Sequence, residues 1–575
     1  MAIDTDIQKL QISAAVRAHL SRLPVADAQG RVLRGLVRLA CLVSLVFLVV
    51  PRGTFADDDR NREAAVIFDG KKLDDMAGGT WKVVYSSAEG PEGRALETLT
   101  ERVGFHVLRE RHISTSMVLP FEKDGEPPLR GKRDSIVIGV PSENATLRRL
   151  LEESASSSTA EDARERVPPN GYLIRTFNKD GRNYVLLAGD TPAAVLWATF
   201  DFLDVVVPSL ESKLVGDRRG LYAGTFFRAN RRGARRHDKK GEKPIPYCTV
   251  RREPETLVRS IFSWGHVVDD CRTTFREMAR ARFNRAILWN DQRVVNAREV
   301  VECAHSWGVE VFWGFSWGWT LSGSSRTDLD FDKIADGIVD EWRRVWKPMG
   351  GDGIYFQSFT ETSKAEISGR SIPEAVTELV NAVAKRIHAE APDLKIVFGL
   401  HSNSMRTPGA AEAIAKVDPA LEILWENCGG FPFGTFGQKR MEPDVEFCDM
   451  ILALNPSVGL AWKGQLSLDW GNYAKPAGPF MLGCAGRRML ERDQAVIGPV
   501  HWQWDEAWLK WGKTVWEFTR HIREGKHPPK ELNAVAEYNP PYSFATHCHG
   551  ELFWSSKDSW EEIAKRARMR ARPER

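Results

Sequence analysis

From residue 256 onward the sequence repeats one pattern: a short apolar run, then a segment with apolar residues at helical spacing. LVRSIFSWG (257–265) precedes a stripe through Phe275, Met278, Ala279 and Phe283, and RAILWN (285–290) precedes one through Val300, Val301 and Ala304. VEVFWGF (309–315) leads to Ile334, Ile338, Trp342 and Val345, and GIYFQSF (353–359) leads to Val376, Val380, Val383 and Ile387. LKIVFGLH (394–401) precedes AAEAIAKV (410–417), and LEILWEN (421–427) follows. Runs this apolar suit strands covered on both faces, as in a parallel sheet flanked by helices. VGLAWKG (458–464) and GPVHWQW (498–504) supply a seventh and an eighth strand, so the expected architecture is a closed parallel barrel. The pattern is weakest over its last units, where DVEFCDMILALNP (444–456) fits a helix or a strand. Asn296 and Glu299 have the spacing of a capping box for the helix after the second strand.

Upstream lies a smaller α/β block. DSIVIGVP (134–141) reads as a buried strand, and GYLIRTF (171–177) and NYVLLAGD (183–190) read as strands joined by a turn at Asp180-Gly181. Thr191 is placed to cap the next helix, with Pro192 at its first position and Val195, Ala198, Phe202 and Leu203 as its apolar stripe. A basic segment, RANRRGARRHDKKGEKP (228–244), reads as a solvated linker or as an attractor for an anionic sugar. The expected order is a leader over 1–56, an accessory domain over 57–227, a basic linker over 228–246, a barrel over 247–540 and a C-terminal extension over 541–575. The leader has Arg31, Arg34 and Arg38 before the apolar run LACLVSLVFLVV (39–50), and a small-residue site at Ala56. That pattern predicts export to the periplasm or the exterior, with the segment either cleaved near Ala56 or kept as an anchor.

Bulk properties exclude little but direct attention. The formal net charge of +3 over 575 residues does not call for nucleic acid. Of eight cysteines, Cys41 lies in the leader; Cys248, Cys271, Cys303, Cys428, Cys448, Cys484 and Cys548 are scattered and show no CxxC spacing. His547-Cys548-His549 is too tightly spaced for a tetrahedral site on its own, so no metal and no cofactor are expected. No dinucleotide fingerprint, phosphate loop or nucleophile elbow stands in a supporting context.

The 20 tryptophans are the unusual number, because most follow residue 260 and several end the apolar runs. If the runs are barrel strands, their carboxyl ends gather Trp264 and His266, Asn290, Trp317 and Trp319, Glu361, His401 and Asn403, Glu426, Trp462, and Trp502, Trp504 and Asp505. Flat aromatic faces stack on sugar C–H surfaces, while amides, imidazoles and carboxylates bind hydroxyls. A carbohydrate is therefore the expected partner. Paired carboxylates can hydrolyse a glycosidic bond, one as acid and one as base or nucleophile.

The order IVIGVP, NGYLIRT, NYVLLAGDTPAAVLWATFDFLD resembles the accessory domain that precedes the barrel of hexosaminidases and α-glucuronidases. The resemblance implies an exo-acting glycoside hydrolase with a (β/α)8 TIM barrel downstream. It also implies Glu361, after the fourth strand, as general acid, and makes Glu426, after the sixth, the candidate base or nucleophile, with Asp469 and Asp505 as the alternatives. Hexosaminidases carry adjacent acids after the fourth strand, whereas this chain reads Phe359-Thr360-Glu361-Thr362. An α-linked uronic acid is the first expected substrate and a hexosaminide the second; Arg406, Lys463 and Arg487 are the cations available to a uronate. The rivals are a non-catalytic carbohydrate-binding protein on a degenerate glycosidase barrel and a metal-dependent hydrolase. The second is disfavoured by the scarcity of histidine at the strand ends.

Overall fold

The computed structural model describes residues 67–72, 81–101, 121–126, 134–154, 166–206, 246–268, 270–318, 321, 329–360, 362, 364–401, 409–427, 449–450, 452–453, 458–463, 478–483, 487–535 and 544–571. The leader and the whole of the basic segment 228–244 lie outside them.

The first layer is a mixed sheet of β1 (Ile67–Lys72), β2 (Trp81–Tyr85), β3 (Phe121–Lys123), β4 (Asp134–Gly139), β5 (Tyr172–Lys179), β6 (Arg182–Gly189) and β7 (Pro246–Arg252), in the order β1-β7-β5-β6-β4-β2-β3. Strands β6, β4, β2 and β3 run parallel, while β5 is antiparallel to both β6 and β7. Asp180 and Gly181 turn the β5–β6 hairpin with φ of 53° and 71°. Two residues with positive φ match the right-handed twist of the flanking strands. Strand β7 follows the basic segment, so this sheet takes a strand from beyond the expected linker.

Helix α1 (Gly90–Leu99) and α3 (Pro192–Asp201) cover one face of the sheet, and α2 (Ala145–Ser154) sends Leu147 and Leu150 into the other. Thr191 caps α3 as expected, accepting from the Ala194 amide at 3.2 Å with Pro192 at the first position. Every residue from Ala194 to Asp201 is buried, so α3 has no solvated face. The sheet lies on one side of it and a helix of the barrel, α4 (Cys271–Arg280), on the other.

The barrel strands are β8 (Val258–Trp264), β9 (Arg285–Trp289), β10 (Glu310–Ser316), β11 (Gly353–Gln357), β12 (Lys395–His401), β13 (Glu422–Asn427), β14 (Val458–Lys463) and β15 (Glu531–Val535). Every neighbouring pair is parallel, and β15 closes the ring onto β8. This is a (β/α)8 barrel. Helices follow the strands, among them α5 (Ala297–Ser306), α6 (Phe331–Glu341), α7 (Ile372–Glu390) and α8 (Ala410–Ile414).

Two expectations need correction. GPVHWQW (498–504) is not a strand; it lies within the helix α9 (Arg487–Glu524). The downstream residues Trp508, Val515, Phe518 and Ile522 are all buried at helical spacing, and that periodicity decides the segment. The eighth strand is instead ELNAV, whose alternate residues Glu531 and Asn533 are polar and lack an apolar signature. Asn296 does cap α5 by position, but its side chain makes no cap hydrogen bond. Its amide is taken by Leu482, donating to that carbonyl and accepting from that N–H, each at 2.9 Å.

Helices α10 (Phe544–Trp554) and α11 (Trp560–Arg570) pack where sheet and barrel meet. A buried ionic network ties the three parts together. Arg280 on α4 donates to Asp204 at 2.6 Å, Tyr172 on β5 donates to Asp201 at 2.7 Å, and Arg570 bonds Asp201 from α11. Glu551 on α10 accepts from Arg566 at 2.7 Å and Arg570 at 2.9 Å, and it also pairs with Arg282. Burial opposes the Glu551 charge, but Arg282, Arg566 and Arg570 outweigh it and hold its carboxyl well below the usual range.

Candidate functional site

The barrel has two unlike ends. At the amino end, where each strand begins, Arg285 lies inside the ring and bonds Glu422 at 2.7 Å, Glu531 at 3.0 Å and Glu310 at 3.1 Å. Its guanidinium also sits 4.1 Å from the centre of the Phe312 ring. Ser260 donates to Glu531 and accepts from Asn533 at 2.7 Å. Burial works against the Arg285 charge, but the attraction of Glu531 and Glu422 exceeds it and raises its pKa. The charged groups at this end are engaged with one another, so it is a plug, although Asn533 Oδ1 is buried without a hydrogen-bond partner.

Above the plug comes an apolar layer of Phe262, Ile287, Trp289, Phe312, Tyr355, Val397 and Leu424, with Trp264 half-buried against it. These residues alternate along their strands, and the same alternation carries them to the carboxyl ends. Phe262 meets Trp264 edge-on at 5.2 Å, and Tyr355 meets Phe262 at 5.2 Å and Trp289 at 6.2 Å. Gln357, next on the inner face of β11, donates through Nε2 to the Tyr355 hydroxyl at 2.9 Å. Glycine makes this layer fit. A Cβ on Gly399 would stand 1.9 Å from the Tyr355 hydroxyl, and one on Gly314 would stand 3.1 Å from the Trp289 Cα.

One side of this carboxyl end is built up by residues 478–483, which reach from beyond the seventh strand to the loops after the first and second. Phe480 donates to the Arg293 carbonyl at 3.1 Å and accepts from Val295 at 2.9 Å, and Gly483 donates to Val268 at 2.9 Å. The Asn296 amide described above clamps the residue before Gly483, Leu482. Val295 and Met481 stand exposed on this rim.

The expected site residues divide as follows. Trp264 and His266, at the end of β8 and in the turn Gly265–Val267, are half-buried beside the mouth. Asn290 is only 2% exposed, its amide nitrogen donating to the Leu288 carbonyl at 2.7 Å and its oxygen lying against Gly265. Trp317 is wholly buried outside the ring, stacked on Phe356 at 3.4 Å, which in turn stacks on Phe398 at 5.1 Å. It offers no face to a ligand. Trp502 and Trp504 belong to α9 and not to a strand end. Asp505, also on α9, accepts from the Ala545 amide at 2.9 Å; burial raises its pKa, and its visible work is to secure the start of α10. His401, Glu426 and Trp462 fall at the carboxyl ends of β12, β13 and β14, with Glu426 in register between His401 and Ala461. Glu361, Trp319, Asn403 and Asp469 lie outside the described residues. Arg406 does too, while Lys463 ends β14 and Arg487 begins α9.

Two residues of the mouth escape a reading of sequence alone. Tyr355 and Gln357 sit inside an apolar run and look like core, and only the alternation i, i+2 along β11 puts both on the inner face. No group of three or more metal-ligating side chains gathers among the described residues. His547 and His549 are enclosed in α10, and burial lowers the pKa of each, that of His549 to about 3.

No family model and no curated protein matches the chain. Among solved structures it is similar to a β-N-acetylhexosaminidase from Bacteroides fragilis, at 11% identity over 68% of this chain and 72% of that one, with a TM-score of 0.36. It is also similar to a GH138 enzyme targeting pectin rhamnogalacturonan II, at 9% identity over 84% of this chain, with a TM-score of 0.41. The chain spans 64% of that enzyme's length. A further β-N-acetylhexosaminidase matches at 12% identity over 70% of this chain and 87% of its own, with a TM-score of 0.35.

Proposed function

We propose that this chain is an exported glycoside hydrolase that removes a terminal sugar from a polysaccharide or glycan at the carboxyl end of its barrel. The observation that carries the reading is the contrast between the two ends of the ring. One is closed by Arg285 and its carboxylates, and the other is lined by Trp264, Trp289 and Gln357. Aromatic faces with a few polar groups suit a carbohydrate, and parallel barrels hold their chemistry at this end.

In this reading Glu361 protonates the leaving oxygen and Glu426 serves as base or nucleophile. Supporting it, Glu361 follows the fourth strand in sequence, and Glu426 lies near the carboxyl end of the sixth. An α-linked uronic acid is the first candidate substrate and a hexosaminide the second. The basic, apolar and small-residue segments before Ala56 support export.

The test is sugar release from aryl glycosides and plant or algal polysaccharides by the full chain and by Glu361→Gln. Release by the wild type that falls about 10²- to 10⁴-fold in the variant supports the acid role. Equal release by both removes Glu361 from the mechanism. Binding without any release favours the carbohydrate-binding rival.

A further inference from the structure

We infer that Asn296 is a positioning residue of the barrel mouth: its amide grips Leu482, and through residues 482–483 it holds the turn that carries His266 beside Trp264. The inference rests on the carbohydrate reading above, in which that turn belongs to the sugar site, and it names what fixes the turn there.

By its spacing Asn296 should cap α5, yet its side chain makes no cap hydrogen bond. Its backbone, with φ of −102° and ψ of 30°, is not in the extended conformation usual for a cap. The amide works elsewhere. Phe480 pairs with the main chain on both sides of Val294, donating to the Arg293 carbonyl at 3.1 Å and accepting from the Val295 amide at 2.9 Å. That is one rung of a parallel ladder. The next would pair Leu482 with the main chain beyond Val295, but there the chain turns into helix at Ala297. The Asn296 side chain supplies the rung instead, Nδ2 donating to the Leu482 carbonyl and Oδ1 accepting from its N–H, each at 2.9 Å. A primary amide donates and accepts at once from two separate atoms, which a hydroxyl or a carboxylate cannot do. Cys271 Sγ adds a longer contact to the same carbonyl, at 3.6 Å.

What is gripped bears on the mouth. Leu482 is buried against Gly265, where a Cβ would stand 2.9 Å from its Cδ1 and 2.1 Å from Asn290 Oδ1. Gly265 opens the turn Gly265–Val267, which holds His266 next to Trp264. The far end of the turn is fastened by the following residue of the same segment. Gly483 donates to the Val268 carbonyl at 2.9 Å, while Val268 donates back to the Gly265 carbonyl at 3.1 Å. Gly483 fits there because it has φ of 71° and no side chain; a Cβ would stand 2.0 Å from Cys271 Sγ. Residues 482 and 483 thus bracket the turn at both ends. A shift of the turn moves His266 and the end of β8 together, so Asn296 acts on the mouth without touching a sugar.

The test compares wild type, Asn296→Ser and Asn296→Asp as full chains, with the urea midpoint of each as the control for folding. Serine and aspartate cap helices as well as asparagine does, so a capping role predicts no change in either. Serine is too short to bridge Leu482, and aspartate sets a carboxylate against its carbonyl. Hydrogen exchange read by mass spectrometry over 265–268 and 480–483 should therefore quicken together in both variants, by about 10-fold or more for the hydrogen bonds lost. Strand β11 should keep its protection. Sugar release should show KM raised about 3- to 30-fold, with kcat changed by less than about 3-fold. A loss of folded protein would do the opposite, lowering the rate and leaving KM alone. If one variant fails to fold, the other decides. The inference is overturned if the two segments exchange as in the wild type, if only 480–483 quickens, or if both loosen and KM does not move. Should the wild type release no sugar, the hydrolase reading falls and the exchange result alone decides whether Asn296 holds the turn.

Discussion

The two ends of the barrel are made from the same strands, yet they answer to different demands. At the amino end, Arg285 collects three carboxylates, and Ser260 and Asn533 complete the set. A buried charge is tolerable only when paired and hydrogen-bonded, and Arg285 and Glu531 there are fixed by each other. At the carboxyl end, aromatic faces surround the hydrogen-bonded Gln357 amide and Tyr355 hydroxyl, with Gly399 clearing space for the tyrosine. The difference separates an end closed by paired charges from one built on aromatic packing.

The comparison can be broken most severely at the plug. Arg285→Met leaves Glu531 buried without its cation, and we expect a loss of about 3–5 kcal/mol, read from the urea midpoint. A midpoint near the wild type would mean that the plug is solvated and that the two ends are less different than described.

Acid sharpens the comparison, because the loss of stability should come from the third buried region; burial raises the pKa of Glu531 in the plug, so its protonation favours the folded state. His547 faces Glu277 and Arg280 from α4, Asp204 beyond α3, Arg570 from α11 and Glu551 from its own helix. His549 packs on Trp508 and Phe553. Both pKa values are depressed, chiefly by burial, so the unfolded chain takes up protons below about pH 6.5 that the folded chain refuses. Stability is therefore full above that pH and falls on acidification, by about 2 kcal/mol per histidine at pH 5. Urea unfolding between pH 7 and pH 5 measures it, and His549→Phe should flatten the slope. A profile as steep in that variant would place the acid sensitivity elsewhere.

Within the mouth, Gly399→Ala drives a Cβ into the Tyr355 hydroxyl. Overpacking of this kind costs about 1–3 kcal/mol, and Tyr355→Leu in the same chain should recover most of it. Failure of the second change to recover stability would show that Gly399 serves the backbone and not the tyrosine. The smallest effect belongs to the exposed edge of the plug. Lys395 bonds Glu310 at 2.5 Å with both side chains partly in water, so Lys395→Met should change stability by less than about 1 kcal/mol.

What was legible in the sequence follows the same division. Seven barrel strands announce themselves because their outward residues, such as Phe356, Phe398 and Ile423, are apolar and pack under helices. The eighth does not, because Glu531 and Asn533 belong to the polar interior of the amino end and leave β15 without an apolar run. GPVHWQW carries the opposite error: its aromatics resemble a strand end, but the downstream stripe from Trp508 to Ile522 makes it helix. Tryptophans at strand ends were visible as a group, yet pleat direction divides them. Trp264 reaches the mouth, and Trp317 turns outward onto Phe356. Tyr355 and Gln357 were hidden because inward polar residues inside an apolar run look like core until a partner such as Gly399 shows the space made for them.

The most direct test sets the two ends against each other in one assay. Sugar release per folded molecule is measured for wild type, Glu426→Gln and Arg285→Met, with the urea midpoint of each determined alongside. The account predicts that Glu426→Gln keeps the midpoint and loses release about 10²- to 10⁴-fold, whereas Arg285→Met lowers the midpoint and its folded fraction releases sugar at the wild-type rate. Release that survives Glu426→Gln, or that collapses in folded Arg285→Met, would contradict it.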